Sequence, residues 1–306
     1  SYRKFGWKAI FVDNDDPDAF RAALSEKTRA IFVESLANPG GVVVDLEAIA
    51  KVAQEAEVPL IVDNTMATPW ICRPFEWGAD LVVHSTTKFL SGQGNAMGGI
   101  VIDSGRFPWL GNVKYPSLSE PCPDYNGLTF AETFGDLAFT LYSHAVSLRD
   151  LGCSQSPMNA WITLNGVETL PLRMERHVEN AMEVARFLQG HEAVEWVSYA
   201  GLSSSPYHQL AKKYLEGKAG SVFTFGIRGG YESGLRILEN VELFSHVANI
   251  GDTRSLILHP ASTTHRQLNE EQLLAAGAGP EVIRLSIGLE SSADLIADLG
   301  QALASL

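Results

Sequence analysis

Leu81-Val82-Val83-His84-Ser85-Thr86-Thr87-Lys88-Phe89-Leu90, continued by Ser91-Gly92-Gln93-Gly94, is the stretch on which the reading of this chain turns. An apolar run of strand length passes into hydroxyl residues, then a single lysine, then a glycine-rich turn. A deprotonated lysine amine condenses with carbonyls, so a lysine flanked by hydroxyl and backbone donors can anchor an aldehyde cofactor and its phosphate. Pyridoxal phosphate is the usual aldehyde of this kind. The plainer alternative is a strand ending in a surface Ser/Thr turn, with Lys88 solvated. S-x-T-K is too short a pattern to choose between them by itself.

Working outward, Pro59-Leu60-Ile61-Val62-Asp63 is a short apolar strand ending in an acid. Ala30-Ile31-Phe32-Val33-Glu34 reads as a buried strand closed by the turn Asn38-Pro39-Gly40-Gly41. Ala9-Ile10-Phe11-Val12 predicts a strand before it, and Asp16-Pro17 predicts an N-cap and first-turn proline for a helix through Leu24. Asp45 caps a further helix, in which Leu46, Ile49, Ala50 and Ala53 fall at helical spacing. Gly99-Ile100-Val101-Ile102 completes the set of strands. Short apolar strands alternating with helices predict an α/β fold with a mostly parallel central sheet flanked by helices. Such sheets bind ligands at the carboxyl ends of their strands, where Asp63, Ser85, Thr87 and Lys88 lie.

Residues 103–125 are rich in proline, glycine and aromatics and read as a long excursion. Helical patterning returns over Phe134–Arg149, and a long helix is predicted from Gly166 to Gln189 with Leu172, Val178, Met182 and Ala185 on its buried side. Val194–Tyr199, Ser221–Arg228, Ser255–Leu258 and Val282–Ile287 then read as strands. Helices are expected near Glu232–Glu239, Glu270–Ala276 and Ala293–Leu303. The change of rhythm divides the chain into a large domain, 1–165, and a smaller C-terminal α+β domain, 166–306.

The chain has 306 residues, and its 23 basic against 36 acidic side chains give a net charge of −13, which argues against nucleic-acid or anionic-membrane partners. No apolar run approaches the length of a membrane helix. Cys72, Cys122 and Cys153 are far apart and form no C-x-x-C, so neither a disulfide framework nor a zinc ribbon is indicated. The composition reads as cytoplasmic. The opening Ser1-Tyr2-Arg3-Lys4-Phe5 lacks an initiator methionine, as expected of part of a longer chain.

Several residues invite a chemical role. A carboxylate at the strand end Val62-Asp63-Asn64-Thr65 suits a protonated pyridine nitrogen, although Asp63 suits a turn cap equally well. Asn38 has a donor for a phenolic oxygen, but Asn-Pro is also a common turn opener. Arg284, inside the apolar run Val282–Leu289, either lies on a solvated edge or aims its planar fork at a carboxylate such as that of an amino acid. No H-E-x-x-H, G-x-S-x-G or nucleotide-binding glycine fingerprint is present, so a metal site, a serine hydrolase and a nucleotide module are not expected.

Six segments, in order along the chain, carry a resemblance: Glu34-Ser35-Leu36-Ala37-Asn38-Pro39, Val62-Asp63-Asn64-Thr65, Ala79 through Phe89, Leu172 through His177, His259 through His265 and Ile283 through Glu290. In these the chain resembles the Cys/Met-metabolism family of pyridoxal-phosphate enzymes, of the aspartate-aminotransferase fold type. Asn249-Ile250-Gly251-Asp252-Thr253-Arg254-Ser255-Leu256 and the insertion around Pro116–Phe130 resemble its O-acetylhomoserine sulfhydrylase branch.

The resemblance implies Lys88 as the Schiff-base and catalytic lysine, Asp63 on the pyridine nitrogen, and Ser85 and Thr87 on the phosphate. It implies Asn38 near the phenolic oxygen and the substrate, Arg284 on the substrate α-carboxylate, and the backbone of Ser255 beside that carboxylate. The reaction implied is γ-replacement, turning O-acetylhomoserine and sulfide or methanethiol into homocysteine or methionine. Alternatives are a γ-lyase, a cystathionine γ-synthase, or an idle fold acting in assembly. The resemblance also implies a homotetramer built as a dimer of dimers. The family's N-terminal arm, with its phosphate-binding glycine turn and ring-stacking tyrosine, is expected ahead of these residues.

Overall fold

The computed structural model describes residues 2–13 and 16–306. Its first sheet takes its strands in chain order: β1 (Ile31–Glu34), β2 (Leu60–Asp63), β3 (Leu81–Ser85) and β4 (Gly99–Asp103). β1, β2 and β3 are parallel, with Glu34 opposite Asp63 and Asp63 opposite Val83. β4 returns antiparallel and sets Gly99 beside Ser85. Parallel neighbours need a crossover. Between β1 and β2 it is the helix Leu46–Glu55, capped by the Asp45 side chain on the Ala48 N–H. That helix buries Leu46, Ile49, Val52 and Ala53 on one face. The helix Pro17–Ala23 opens on Asp16 as its sequence predicts.

Two strand expectations are corrected. Ala9–Val12 forms no strand, and Phe11 is 95% exposed. An apolar run becomes a strand only where a neighbour satisfies its backbone. β1 is not buried throughout either, because Phe32 is 56% exposed while Ile31 and Val33 face the core.

The second sheet has the order β5 (Val194–Ser198), β6 (Val222–Ile227), β9 (Val282–Ser286), β8 (Leu256–Leu258) and β7 (Ser245–His246). All its pairings are antiparallel except β7 with β8. β6 is buried along its whole length. The helix expected over Gly166–Gln189 is two helices, Pro157–Glu168 and Leu170–Gln189, which meet at Thr169. Pro171 explains the break: it has no N–H to continue a helix but fits a first turn. The buried face of the second helix carries Leu170, Met174, His177, Ala181, Val184, Ala185 and Leu188, while Leu172 is 73% exposed.

Both sheets share one apolar core, in which Val33, Val62 and Phe89 join Met174, Leu188, Phe223 and Leu285. Residues of the aromatic-rich excursion and of the segment after it build a satellite cluster around Phe107, Trp109, Leu118 and Phe130. Mixed sheets covered by helices agree with the α/β class read from the sequence.

The helix Pro157–Glu168 meets the lysine turn through Gly166. A Cβ there would stand 2.2 Å from the Leu90 carbonyl oxygen and 2.7 Å from Ser91 Cα. We expect Gly166→Ala to lower the unfolding free energy by about 1–3 kcal/mol through overpacking. Gly190→Ala, whose Cβ would meet nothing closer than 3.7 Å, is expected to stay within about 0.5 kcal/mol of the parent in urea titration.

Candidate active site

β3 ends at Ser85 and runs directly into a π-helical turn, Thr86–Leu90, in which Lys88 has φ −89° and ψ −128°. That departure from helical geometry is held from outside. Arg173, buried on the Leu170–Gln189 helix, donates to the carbonyls of Phe89 (2.8 Å), Leu90 (3.4 Å) and Gly166 (2.7 Å) and to Thr169 Oγ1 (3.1 Å). Burial pushes its guanidinium pKa down. Gly92, at φ +80°, leaves the necessary space, since a Cβ there would stand 2.3 Å from Arg173 Nη1. Sequence reasoning did not assign Arg173. The available signal was a charged residue in phase with Leu170, Met174 and His177 on an apolar helix face.

Lys88 is half-buried, and its Nζ donates to Asn249 Oδ1 at 2.6 Å. Arg284 of β9 reaches the same residue and donates from Nη2 to the Asn249 backbone carbonyl at 3.2 Å. Burial, and then the positive charge of Arg284, lower the Lys88 pKa. Burial lowers that of Arg284 as well. The fold therefore brings a lysine from one sheet and an arginine from the other to a single point, with no carboxylate ion-paired to either among the described residues.

Each of the other predicted residues is held by hydrogen bonds of its own. Asp63 ends β2, and its Oδ1 accepts the Thr65 N–H at 2.9 Å. Ser85 gives its backbone N–H to Thr65 Oγ1 at 2.8 Å. Thr87 Oγ1 accepts the Gly98 N–H at 3.1 Å and donates to the Gly98 carbonyl at 3.3 Å, fixing the end of the glycine-rich loop. Asn38 follows β1, its N–H held by Glu34 Oε2 at 3.1 Å and its side-chain oxygen buried without a partner. Ser255 is fully buried, and its N–H and Oγ–H both go to the Glu290 carboxylate, at 2.7 and 2.8 Å. Its Oγ in turn accepts the Gly288 N–H at 2.8 Å. His84, next to Ser85, is buried with Nδ1 unpartnered, and its pKa is lowered by burial against the pull of Asp63.

A family model described as "Cys/Met metabolism PLP-dependent enzyme" matches residues 1–304. The chain belongs to this family. It is 49% identical to the O-acetyl-L-homoserine sulfhydrylase of Leptospira meyeri, covering 100% of this chain and 71% of that one. It is 48% identical to O-acetyl-L-homoserine sulfhydrylase 1 of Thermus thermophilus, covering 99% and 72%. Among solved structures, a Campylobacter jejuni chain provisionally assigned as an O-acetylhomoserine (thiol)-lyase superposes with a TM-score of 0.95 at 43% identity, covering 99% of this chain and 72% of that chain. That structure carries N′-pyridoxyl-lysine-5′-monophosphate.

These residues fit pyridoxal phosphate. A lysine with a lowered pKa, a strand-end carboxylate and a buried amide oxygen without a partner lie at the carboxyl edge of a parallel sheet. Such orphaned polar groups are uncommon unless a ligand completes them.

Arg173→Met keeps an unbranched apolar stem but leaves the carbonyls of Phe89 and Gly166 without their donor. We expect a loss of about 2–4 kcal/mol in chemical unfolding. Arg173→Lys is expected to recover less than half, because an ammonium cannot reproduce the planar fork across separate carbonyls.

Proposed function

We propose that this protein is a γ-replacement enzyme acting on O-acetylhomoserine. Sulfide or methanethiol displaces acetate from Cγ, giving homocysteine or methionine. The observation that carries this reading is the meeting of Lys88 and Arg284, a lysine of lowered pKa beside a guanidinium open to a carboxylate. Relatives at 45–49% identity bearing the names O-acetyl-L-homoserine sulfhydrylase and homocysteine synthase support the substrate class.

Lys88, Asp63, Asn38, Ser85 and Thr87 would hold the cofactor. Bound pyridoxal phosphate supplies an aldehyde for the substrate amine and a cationic ring that withdraws electrons from the adjacent carbons. Arg284 orients the substrate by binding its α-carboxylate through parallel N–H bonds. Lys88 Nζ then takes the proton from Cα and passes it on, and, neutral again, takes one from Cβ that it returns once sulfur has bonded to Cγ; its lowered pKa leaves more of it neutral for this work. The C–O electron pair departs with acetate, and the sulfur nucleophile bonds to Cγ. Ser255, through Glu290 and Gly288, supports the carboxylate end of the site.

We further infer a cytoplasmic homo-oligomer, a dimer of dimers. Met158, Trp161 and Leu164 recur every third residue on one helix and are each more than 60% exposed. An apolar stripe of this kind marks an interaction surface. Cys72, Cys122 and Cys153 are free thiols, as suits a reducing compartment. Among the described residues no helix is long and apolar enough to cross a membrane.

The test is product analysis with the cofactor-loaded protein. Homocysteine and acetate should appear from O-acetylhomoserine only when sulfide is present. Formation of 2-oxobutanoate and ammonia without sulfide would instead identify a γ-lyase, and no turnover under either condition would refute the reading. Arg284→Lys should raise KM by about tenfold or more, since the ammonium loses the bidentate geometry.

A further inference from the structure

Loop 247–255 joins β7 to β8, and it is fixed at both ends of its run. Gly251, at φ +72°, presses against the lysine turn: a Cβ there would stand 2.7 Å from the Phe89 nitrogen. Its N–H donates to Ser286 Oγ on β9 at 3.1 Å. Two residues on, the Thr253 N–H donates to the Gly92 carbonyl at 2.9 Å and its carbonyl accepts the Leu289 N–H at 2.8 Å. Asp252 is buried and takes Arg254 as its partner at 2.9 Å. Asn249 is therefore held in place by the first sheet's lysine turn and by the strand that carries Arg284.

Its two oxygens separate two cations. The side-chain oxygen accepts from Lys88 and the backbone oxygen from Arg284. On its other side the amide nitrogen faces Gly94, where a Cβ would stand 3.1 Å from it and 3.0 Å from Asp252 Oδ2. This orientation assigns the amide its oxygen toward the lysine. An uncharged acceptor suits such a place. A carboxylate would hold Lys88 as ammonium and remove its ability to take a proton, whereas an amide oxygen fixes the direction of Nζ whether the amine is charged or neutral.

Resting on the reading of Lys88 and Arg284 given above, we propose that Asn249 is a positioning residue: its amide oxygen captures the Lys88 amine whenever that amine is not joined to the cofactor. Its backbone carbonyl also occupies Arg284 until a substrate carboxylate displaces it. Asn249 thus senses both halves of the site, and the amine it holds stays aimed at the substrate carbons. The charged group acting on Lys88 is Arg284 from β9.

The test reads the lysine directly. The cofactor-free full chain is acetylated over a range of pH, and modification of Lys88 is quantified by peptide mass spectrometry against an exposed lysine as internal standard. Asn249→Asp, nearly isosteric, should move the Lys88 midpoint up by about one pH unit or more, making labelling near neutrality about tenfold slower. Asn249→Ala, which removes an acceptor for the ammonium, should move the midpoint down and speed labelling several-fold. Far-UV circular dichroism establishes that each variant is folded, and the Asp variant remains informative if the Ala variant is not. Coincident midpoints in the parent and the folded variants would overturn the assignment whatever the enzyme's turnover. Shifted midpoints in a protein that does not turn over O-acetylhomoserine would support the assignment and refute only the reading of function.

Discussion

A buried guanidinium holds this site together. Arg173 collects the carbonyls of Phe89, Leu90 and Gly166, which would otherwise point into the core with no donor. Removing a guanidinium from water is costly, and without a carboxylate the compensation must come from several carbonyl dipoles arranged around it. That arrangement exists only when the lysine turn and the helix ends at Glu168 and Leu170 take the relation seen here. The turn is therefore specified by the same contacts that satisfy the arginine. Gly92 and Gly166 follow from it, since side chains at either position would enter space that the arginine or the turn's backbone occupies.

Electrostatics then sets the chemistry. Lys88 and Arg284 arrive from different sheets and repel one another, and neither is neutralised by an acid among the described residues. Burial alone would press the lysine toward its neutral form, and the guanidinium presses it further. The same two charges make a place where an amino-acid carboxylate is welcome and a proton on Lys88 is less so. Asp63, at the next strand end, is the carboxylate proposed for a pyridinium nitrogen. One edge of a parallel sheet thus presents an acid and a base in adjacent loops, joined by an arginine from the second sheet.

Much of this was legible in the sequence, for identifiable reasons. Asp63, Ser85, Thr87 and Lys88 sit in or just after apolar runs, and a parallel sheet turns strand ends into neighbours without further information. Arg284 stood out as a charge within an apolar strand. Asn249 gave no such signal, because its contact with Lys88 spans 161 residues and depends on how the two sheets meet. Arg173 was obscured by the placement of the long helix's face on Leu172, which moved a buried position out of view. Ala9–Val12 has strand composition but no strand geometry, since pairing is a tertiary property. The donors of Ser255 go to Glu290, a polar contact 35 residues away that composition does not reveal.

Lys88, in its Arg173-held turn, is the residue proposed to bond to pyridoxal phosphate. Reduction of the cofactor-loaded protein with borohydride, followed by peptide mapping, tests it most directly, because reduction makes the carbon–nitrogen bond permanent. A phosphopyridoxyl group is expected on the peptide containing Lys88 and on no other lysine in stoichiometric amount. A label on a different lysine, or none on the folded protein after incubation with the cofactor, would contradict it.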